Sequence, residues 1–272
     1  MNKKRLLAAV LSIGLTLGVA GCSSKESKET STSTDKKTIV VGATPVPAGE
    51  ILKAAQPVLE KKGYKLEIKE FTDYVTPNTA LNDGEIDANF FQHIPYLDKF
   101  NAEKKTDLES TAKIFIAPIA LYSKKIKNVN ELKNGATIAV PNDPTNETRA
   151  LKLLEKAGII KLKEGDSLTK TDIIENKKNI KIEEIDAPQV PRVLNDIDAA
   201  IINTNYAIEA KLNPTKDSIL SEDKDSPYVN IIAVRKEDKD KAYIKALSEA
   251  LTSKEVKDYI NKKYEGVLIP TF

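Results

Sequence analysis

From Thr38 onward one pattern keeps returning: a short run rich in β-branched residues, then a stretch whose apolar residues recur every three or four positions. Thr38 to Ala43 (TIVVGA) reads as a buried strand. After a Pro-Gly turn, Ile51, Leu52, Ala55, Val58 and Leu59 form one face of a helix that ends near Gly63. Tyr64 to Phe71 alternates as a strand, and a short helix at Thr79 to Asn82, a strand at Ile86 to Phe91 and a helix at Pro95 to Glu103 follow. Strand and helix in alternation predict a largely parallel sheet with covered faces. Lys113 to Tyr122 reads as one long apolar strand. The pattern then restarts, with strands at Ala136 to Val140, Ile180 to Ile185 and Ala199 to Asn203 and helices at Thr145 to Ala157 and Val190 to Leu194. A strand at Val229 to Val234 and helices at Asp240 to Leu251 and Lys254 to Lys263 close the chain.

Two α/β units with helices left over after the second predict two lobes and two crossings between them. The reading puts residues 38–122 and 235–272 in lobe 1 and 123–234 in lobe 2, with the crossings near Ser123 and Arg235. Two crossings make a hinge, and ligands of open α/β sheets sit beyond the carboxyl ends of strands. The cleft between the lobes is therefore where the chemistry is expected.

The start of the chain has a different character. Three of the first five residues, Lys3, Lys4 and Arg5, are basic, and Leu6 to Ala20 carries no charge. This is the layout of a secretory signal over residues 1–21, too short for a permanent span. It ends at Val19-Ala20-Gly21-Cys22, which looks like a bacterial lipobox with Cys22 as the acylated residue. The polar run from Ser23 to Lys37 cannot bury enough apolar surface to order itself, so residues 22–37 read as a lipidated cysteine and a tether. A diacylated cysteine anchors stably where a single chain binds only reversibly. The expected location is the extracytoplasmic face of a cell membrane.

Charge and residue counts narrow the function. Taking the three basic residues of the signal from a net charge of +2 leaves −1, which provides no basic field for nucleic acid. Cys22 is the only cysteine and His93 the only histidine. Nucleophilic triads and zinc sites draw on these residue types, so neither an enzyme nor a metal or cofactor is expected.

Three clusters carry binding chemistry. Arg149, one of three arginines after the signal in a lysine-rich chain, follows Asn146 by one helical turn, just past the turn Pro141-Asn142-Asp143-Pro144. That spacing puts both on one face near a helix start, where a carboxylate would find free N–H groups and the arginine's planar fork. On these residues alone, an ion pair for Arg149 and a capping role for Asn146 are equally open. Phe91, His93 and Tyr96, with Tyr74 on the same expected edge, could line an apolar slot suited to a thioether or pack in a lobe core. Asn203 and Asn205, after a strand, and Asn230, in Ser226-Pro227-Tyr228-Val229-Asn230, offer amides to a zwitterion or serve as turn residues.

Taken together, FTDYVTPNTAL, NFFQHIPYL, IAVPNDPTNETRALKLLEKAGII, APQVPRVL, INTNYA and DSPYVNII resemble the NlpA family of lipoproteins, in this order and over the whole body from Thr38. The resemblance implies a type II periplasmic-binding-protein fold, two α/β lobes joined by two crossover segments, whose cleft holds methionine. It also implies that the chain is the monomeric substrate-binding protein of an ABC importer, with a membrane permease and an ATPase as partners. Carried onto this sequence, Arg149 and Asn146 would take the ligand carboxylate and Asn203 and Asn230 its other main-chain groups. Tyr74, Phe91, His93 and Tyr96 would surround the thioether. Asn205 is a weaker match, since the family varies there. Other amino acids or a dipeptide as ligand, and a surface-interaction role without transport, are the alternatives.

Overall fold

A computed structural model describes residues Lys36–Phe272. The signal, Cys22 and most of the expected tether lie outside this range. The last two tether residues lie within it and are tied to the body: Lys36 pairs with Asp87, and the Lys37 carbonyl accepts from the Lys65 amide at 2.7 Å.

The chain runs from strand β1 (Thr38–Ala43) through helix α1 (Glu50–Lys61), β2 (Lys65–Glu70), α2 (Thr76–Asn82), β3 (Ala88–Phe90), α3 (Ile94–Lys104) and β4 (Glu109–Ile116). A second series follows: β5 (Ala120–Tyr122), β6 (Thr137–Pro141), α4 (Pro144–Lys156), β7 (Lys161–Leu162), β8 (Ile173–Glu175), β9 (Lys181–Ile185), β10 (Ala199–Ile202), α5 (Thr204–Glu209) and β11 (Ser218–Ser221). The last elements are β12 (Val229–Val234), α6 (Ala242–Leu251), α7 (Lys254–Lys263) and β13 (Ile269–Pro270). The boundaries have local causes. Gly63 at φ +81° stops α1, and Asp143 caps α4 ahead of Pro144, whose missing N–H costs nothing in a first turn.

Two large sheets result, in the orders β13-β4-β12-β3-β1-β2 and β11-β5-β10-β6-β9, and β7 and β8 pair as a separate two-stranded antiparallel sheet. Each is parallel in part: β1 runs parallel to β2 and β3, and β6 to β9 and β10. Each also holds antiparallel strands, β12 and β13 in the first and β5 and β11 in the second, which the largely parallel reading left out. In the first sheet α1, α6 and α7 close one core around Ile39, Val41, Ile51 and Leu247, while α2 and α3 contribute Leu81 and Leu97 to a second core with Ile231. In the second sheet α4 packs Leu151 and Leu154 against Ile138 and Ile201.

The passages between sheets differ from the sequence reading. The predicted strand Lys113 to Tyr122 is two strands: β4 pairs in the first sheet and β5 in the second, so the chain crosses at residues 117–119. It returns at residues 222–228, because β12 pairs with β3 and β4 rather than within the second lobe. An apolar run does not reveal that its partner changes at Pro118. The two crossing segments also bind each other, with the Glu222 amide donating to Ile119 O at 3.0 Å.

Candidate ligand-binding site

A cavity of about 40 Å³ lies between the sheets, at the carboxyl ends of β1, β3, β6 and β10. All eight residues singled out for the ligand, Tyr74, Phe91, His93, Tyr96, Asn146, Arg149, Asn203 and Asn230, line it, as does Asn205.

One wall is aromatic. Phe91 opens the short link from β3 into α3, Tyr96 lies in the first turn of α3, and Tyr74 stands just before α2. The ring centres of Tyr74 and Phe91 are 5.9 Å apart, those of Phe91 and Tyr96 5.9 Å, and Tyr96 meets Tyr74 edge-on at 6.0 Å. The Tyr96 hydroxyl donates to Tyr74 O at 2.7 Å, which ties the two segments together. Behind this wall Asn78, Asn89 and Gln92 form a closed set of buried amides. Asn78 Nδ2 donates to Gln92 Oε1 at 2.8 Å and Gln92 Nε2 returns to Asn78 Oδ1 at 2.7 Å. Satisfied buried amides of this kind hold backbone in one arrangement, here the strand end that carries Phe91.

The opposite wall is polar, and α4 supplies its first turns. Arg149 is buried among partners: Nε donates to Glu222 Oε1 at 3.0 Å, Nη2 pairs with Glu222 Oε2, and Nη2 also donates to Ala117 O at 2.8 Å. Tyr228 covers the guanidinium, its ring centre 4.4 Å from Cζ. The bidentate edge that the sequence reading reserved for a ligand carboxylate is therefore held by Glu222. Nη1 makes no hydrogen bond among the described residues and is the edge left for the cavity. Ala117 and Glu222 lie in the two crossing segments, so Arg149 links the cavity to both. Glu222 escaped the sequence analysis, since within Ser221-Glu222-Asp223-Lys224-Asp225 it looks like any surface carboxylate.

Asn146 is likewise held by neighbouring side chains. Its Nδ2 donates to both Asp143 oxygens, at 3.0 and 2.9 Å, and its Oδ1 accepts from Asn203 Nδ2 at 2.9 Å and from His93 Nε2 at 3.2 Å. The oxygen of this amide is filled, while the two oxygens of one carboxylate lie too close together to use both N–H bonds of its NH2 group, so one donor remains. His93 caps α3, its Nδ1 accepting from the Tyr96 amide at 3.2 Å, so Nε2 carries the proton. Burial, and then the nearby Arg149 charge, lower the His93 pKa to about 3, and the ring is neutral.

Two buried amide atoms in this cavity have no partner: Asn203 Oδ1, an acceptor, and Asn205 Nδ2, a donor. The Tyr74 hydroxyl donates to Asn205 Oδ1 at 2.6 Å, which leaves the Nδ2 end of that amide without a partner. Buried polar groups are rarely left unpaired, and here two of opposite sense share one cavity with Arg149 Nη1. Asn230 reaches the cavity from β12, where it bridges His93. The walls are in contact elsewhere too, with the Tyr206 hydroxyl donating to Thr72 O at 3.2 Å.

The family model described as NlpA lipoprotein matches residues 39–272. The chain belongs to the NlpA lipoprotein family. It is 48% identical over 269 residues to the D-methionine-binding lipoprotein MetQ of Salmonella typhi, covering 97% of each. It is 44% identical over 277 residues to the methionine-binding lipoprotein MetQ of Bacillus subtilis, covering 98% of each. A nutrient binding protein from Burkholderia cenocepacia, solved bound to methionine, superposes with a TM-score of 0.84 at 49% identity, over 86% of this chain and 100% of that one. A periplasmic substrate-binding protein of an ABC transporter from Coxiella burnetii gives 0.83 at 46% identity, over 86% and 100%. The two-sheet architecture of this NlpA lipoprotein is thus the type II binding-protein fold expected from its sequence.

Proposed function

We propose that this chain is the lipid-anchored, extracytoplasmic substrate-binding protein of an ABC importer and that it binds methionine, as the L or the D form or both. The observation that carries the reading is the pair of unpartnered buried amide atoms on residues that line one cavity with Arg149. An amino-acid zwitterion has the complementary groups: its ammonium donates to Asn203 Oδ1, and its carboxylate accepts from Asn205 Nδ2 and Arg149 Nη1. Asn230 adds a further amide beside the same groups. The side chain then extends toward Tyr74, Phe91, His93 and Tyr96, where a thioether makes favourable contacts with ring edges.

The magnitudes suffice. Hydrogen bonds to charged groups contribute about 1.5–3 kcal/mol each, and burial of a methionine side chain contributes about 1.5–3 kcal/mol. Micromolar affinity corresponds to about 8 kcal/mol, which leaves a surplus against the freedom lost on binding. Nothing in the cavity points to bond making or breaking. A permease and an ATPase as partners would supply the energy for transport, and acylation at Cys22 the attachment to the membrane.

The test is calorimetry on the chain from Ser23, stripped of copurified ligand, titrated with L-methionine, D-methionine and a panel of other amino acids. One-to-one methionine binding at micromolar affinity or tighter is the expected result. A folded protein that gives no heat with any amino acid overturns the reading.

A further inference from the structure

The end of the Asn203 amide that faces the cavity is set by a residue outside it. Asp143 does not line the cavity; it caps α4 from the turn before it, where its Oδ1 accepts from the Asn146 amide and the Thr145 hydroxyl, both at 3.0 Å. A carboxylate only accepts, so the Asn146 NH2 group must face Asp143 and its oxygen must face away. His93 enforces the same orientation from the far side. Its Nδ1 is occupied as an acceptor by the Tyr96 amide, so Nε2–H donates to Asn146 Oδ1. With that oxygen an acceptor, Asn203 turns its own NH2 toward it at 2.9 Å, and Asn203 Oδ1 is the end left unpartnered on a residue that lines the cavity.

We propose that Asp143 is a specificity-determining positioning residue: through Asn146 and Asn203 it makes this part of the cavity an acceptor, selecting ligands that carry an amine donor over isosteres that lack one. The inference rests on the amino-acid reading above and deepens it. An amide alone is indifferent, since rotation by half a turn exchanges donor and acceptor at almost no steric cost. The carboxylate at one end and the histidine tautomer at the other remove that indifference. The buried negative charge of Asp143 also favours a cation at the same place.

The test compares two ligands on three proteins. The ligands are methionine and 2-hydroxy-4-(methylthio)butanoate, which replaces the ammonium by a hydroxyl and keeps the rest. The proteins are the wild type, Asp143→Asn and Asp143→Ser; both replacements are good helix caps, so α4 keeps its start. In Asp143→Asn an NH2 can meet the NH2 of Asn146, and in Asp143→Ser the acceptor pair is gone. The wild type is expected to prefer methionine strongly. In the variants methionine should weaken by about tenfold or more while the hydroxy acid changes by less than about threefold, so the preference collapses.

Equal weakening of both ligands in the variants would mean that Asp143 only holds the helix, and unchanged affinities would mean that the relay does not set polarity. Either result overturns the proposal. Should Asp143→Asn fail to fold, Asp143→Ser decides between the same outcomes. A wild type that binds neither compound defeats the amino-acid reading and the relay with it, so the failure of that reading shows in the wild type and failure of the relay alone shows in the variants.

Discussion

The two walls of the cavity are built on different principles. The aromatic wall of Tyr74, Phe91 and Tyr96 is held by packing, ring against ring at about 6 Å, with one hydroxyl tying Tyr96 to the Tyr74 backbone. The polar wall of Asn146, Arg149, Asn203 and Asn205 is held by hydrogen bonds that specify direction as well as place. Packing tolerates exchange of one apolar shape for another of similar volume. A hydrogen-bonded wall does not, because reversing one donor leaves a buried group unpaired at about 1–3 kcal/mol. The polar wall therefore suits the part common to all amino acids, and the aromatic wall the part in which they differ.

The largest expected effect comes from breaking the polar wall. Arg149→Ala should abolish measurable binding of every amino acid in the calorimetric panel. It should also lower stability by about 3–5 kcal/mol, because Glu222 keeps a charge that has lost its partner. Chemical denaturation measures the second effect separately, and Arg149→Ala with wild-type affinity would remove the polar wall from the binding account. Removing an aromatic should do less and do it selectively. Phe91→Ala is expected to weaken methionine by about tenfold to a hundredfold, the worth of one buried apolar side chain, while smaller amino acids lose little. A uniform loss across the panel would erase the division of labour between the walls.

The smallest effect on affinity concerns pH. With its pKa lowered to about 3, His93 stays neutral between pH 6 and 8, so methionine affinity should be flat there. A step centred near 6.5 would mean that the ring charges in place and gives up the Nδ1 acceptor that caps α3. Stability behaves otherwise. The unfolded chain binds a proton at His93 below about 6.5 and the folded chain does not until about 3. The contribution of neutral His93 is thus full above 6.5 and is lost as pH falls through that window. Denaturation of His93→Gln over the same range isolates it, and the variant should lack this part of the slope.

Much of this was legible along the chain. Helix α7 (Lys254–Lys263) has the predicted bounds, and α1, α3 and α4 lie within a residue or two of theirs, because apolar periodicity and caps act over three or four residues. All eight residues that the family motifs single out line one cavity. The first and second sheets exchange the chain at Pro118 and after Ser221 rather than near Ser123 and Arg235, a matter of strand partners that a run of apolar residues leaves open.

What the sequence by itself determined is which residues meet: strand ends rich in aromatics and amides, brought together by two α/β units. Only the tertiary structure decided how they are used. Arg149 gives its fork to Glu222, 73 residues away in sequence, and Asn146 is tied to Asp143, His93 and Asn203. The physical reason is that an amide or a guanidinium has a fixed number of donors and acceptors. Which of them remain for a ligand depends on partners that local spacing does not reveal.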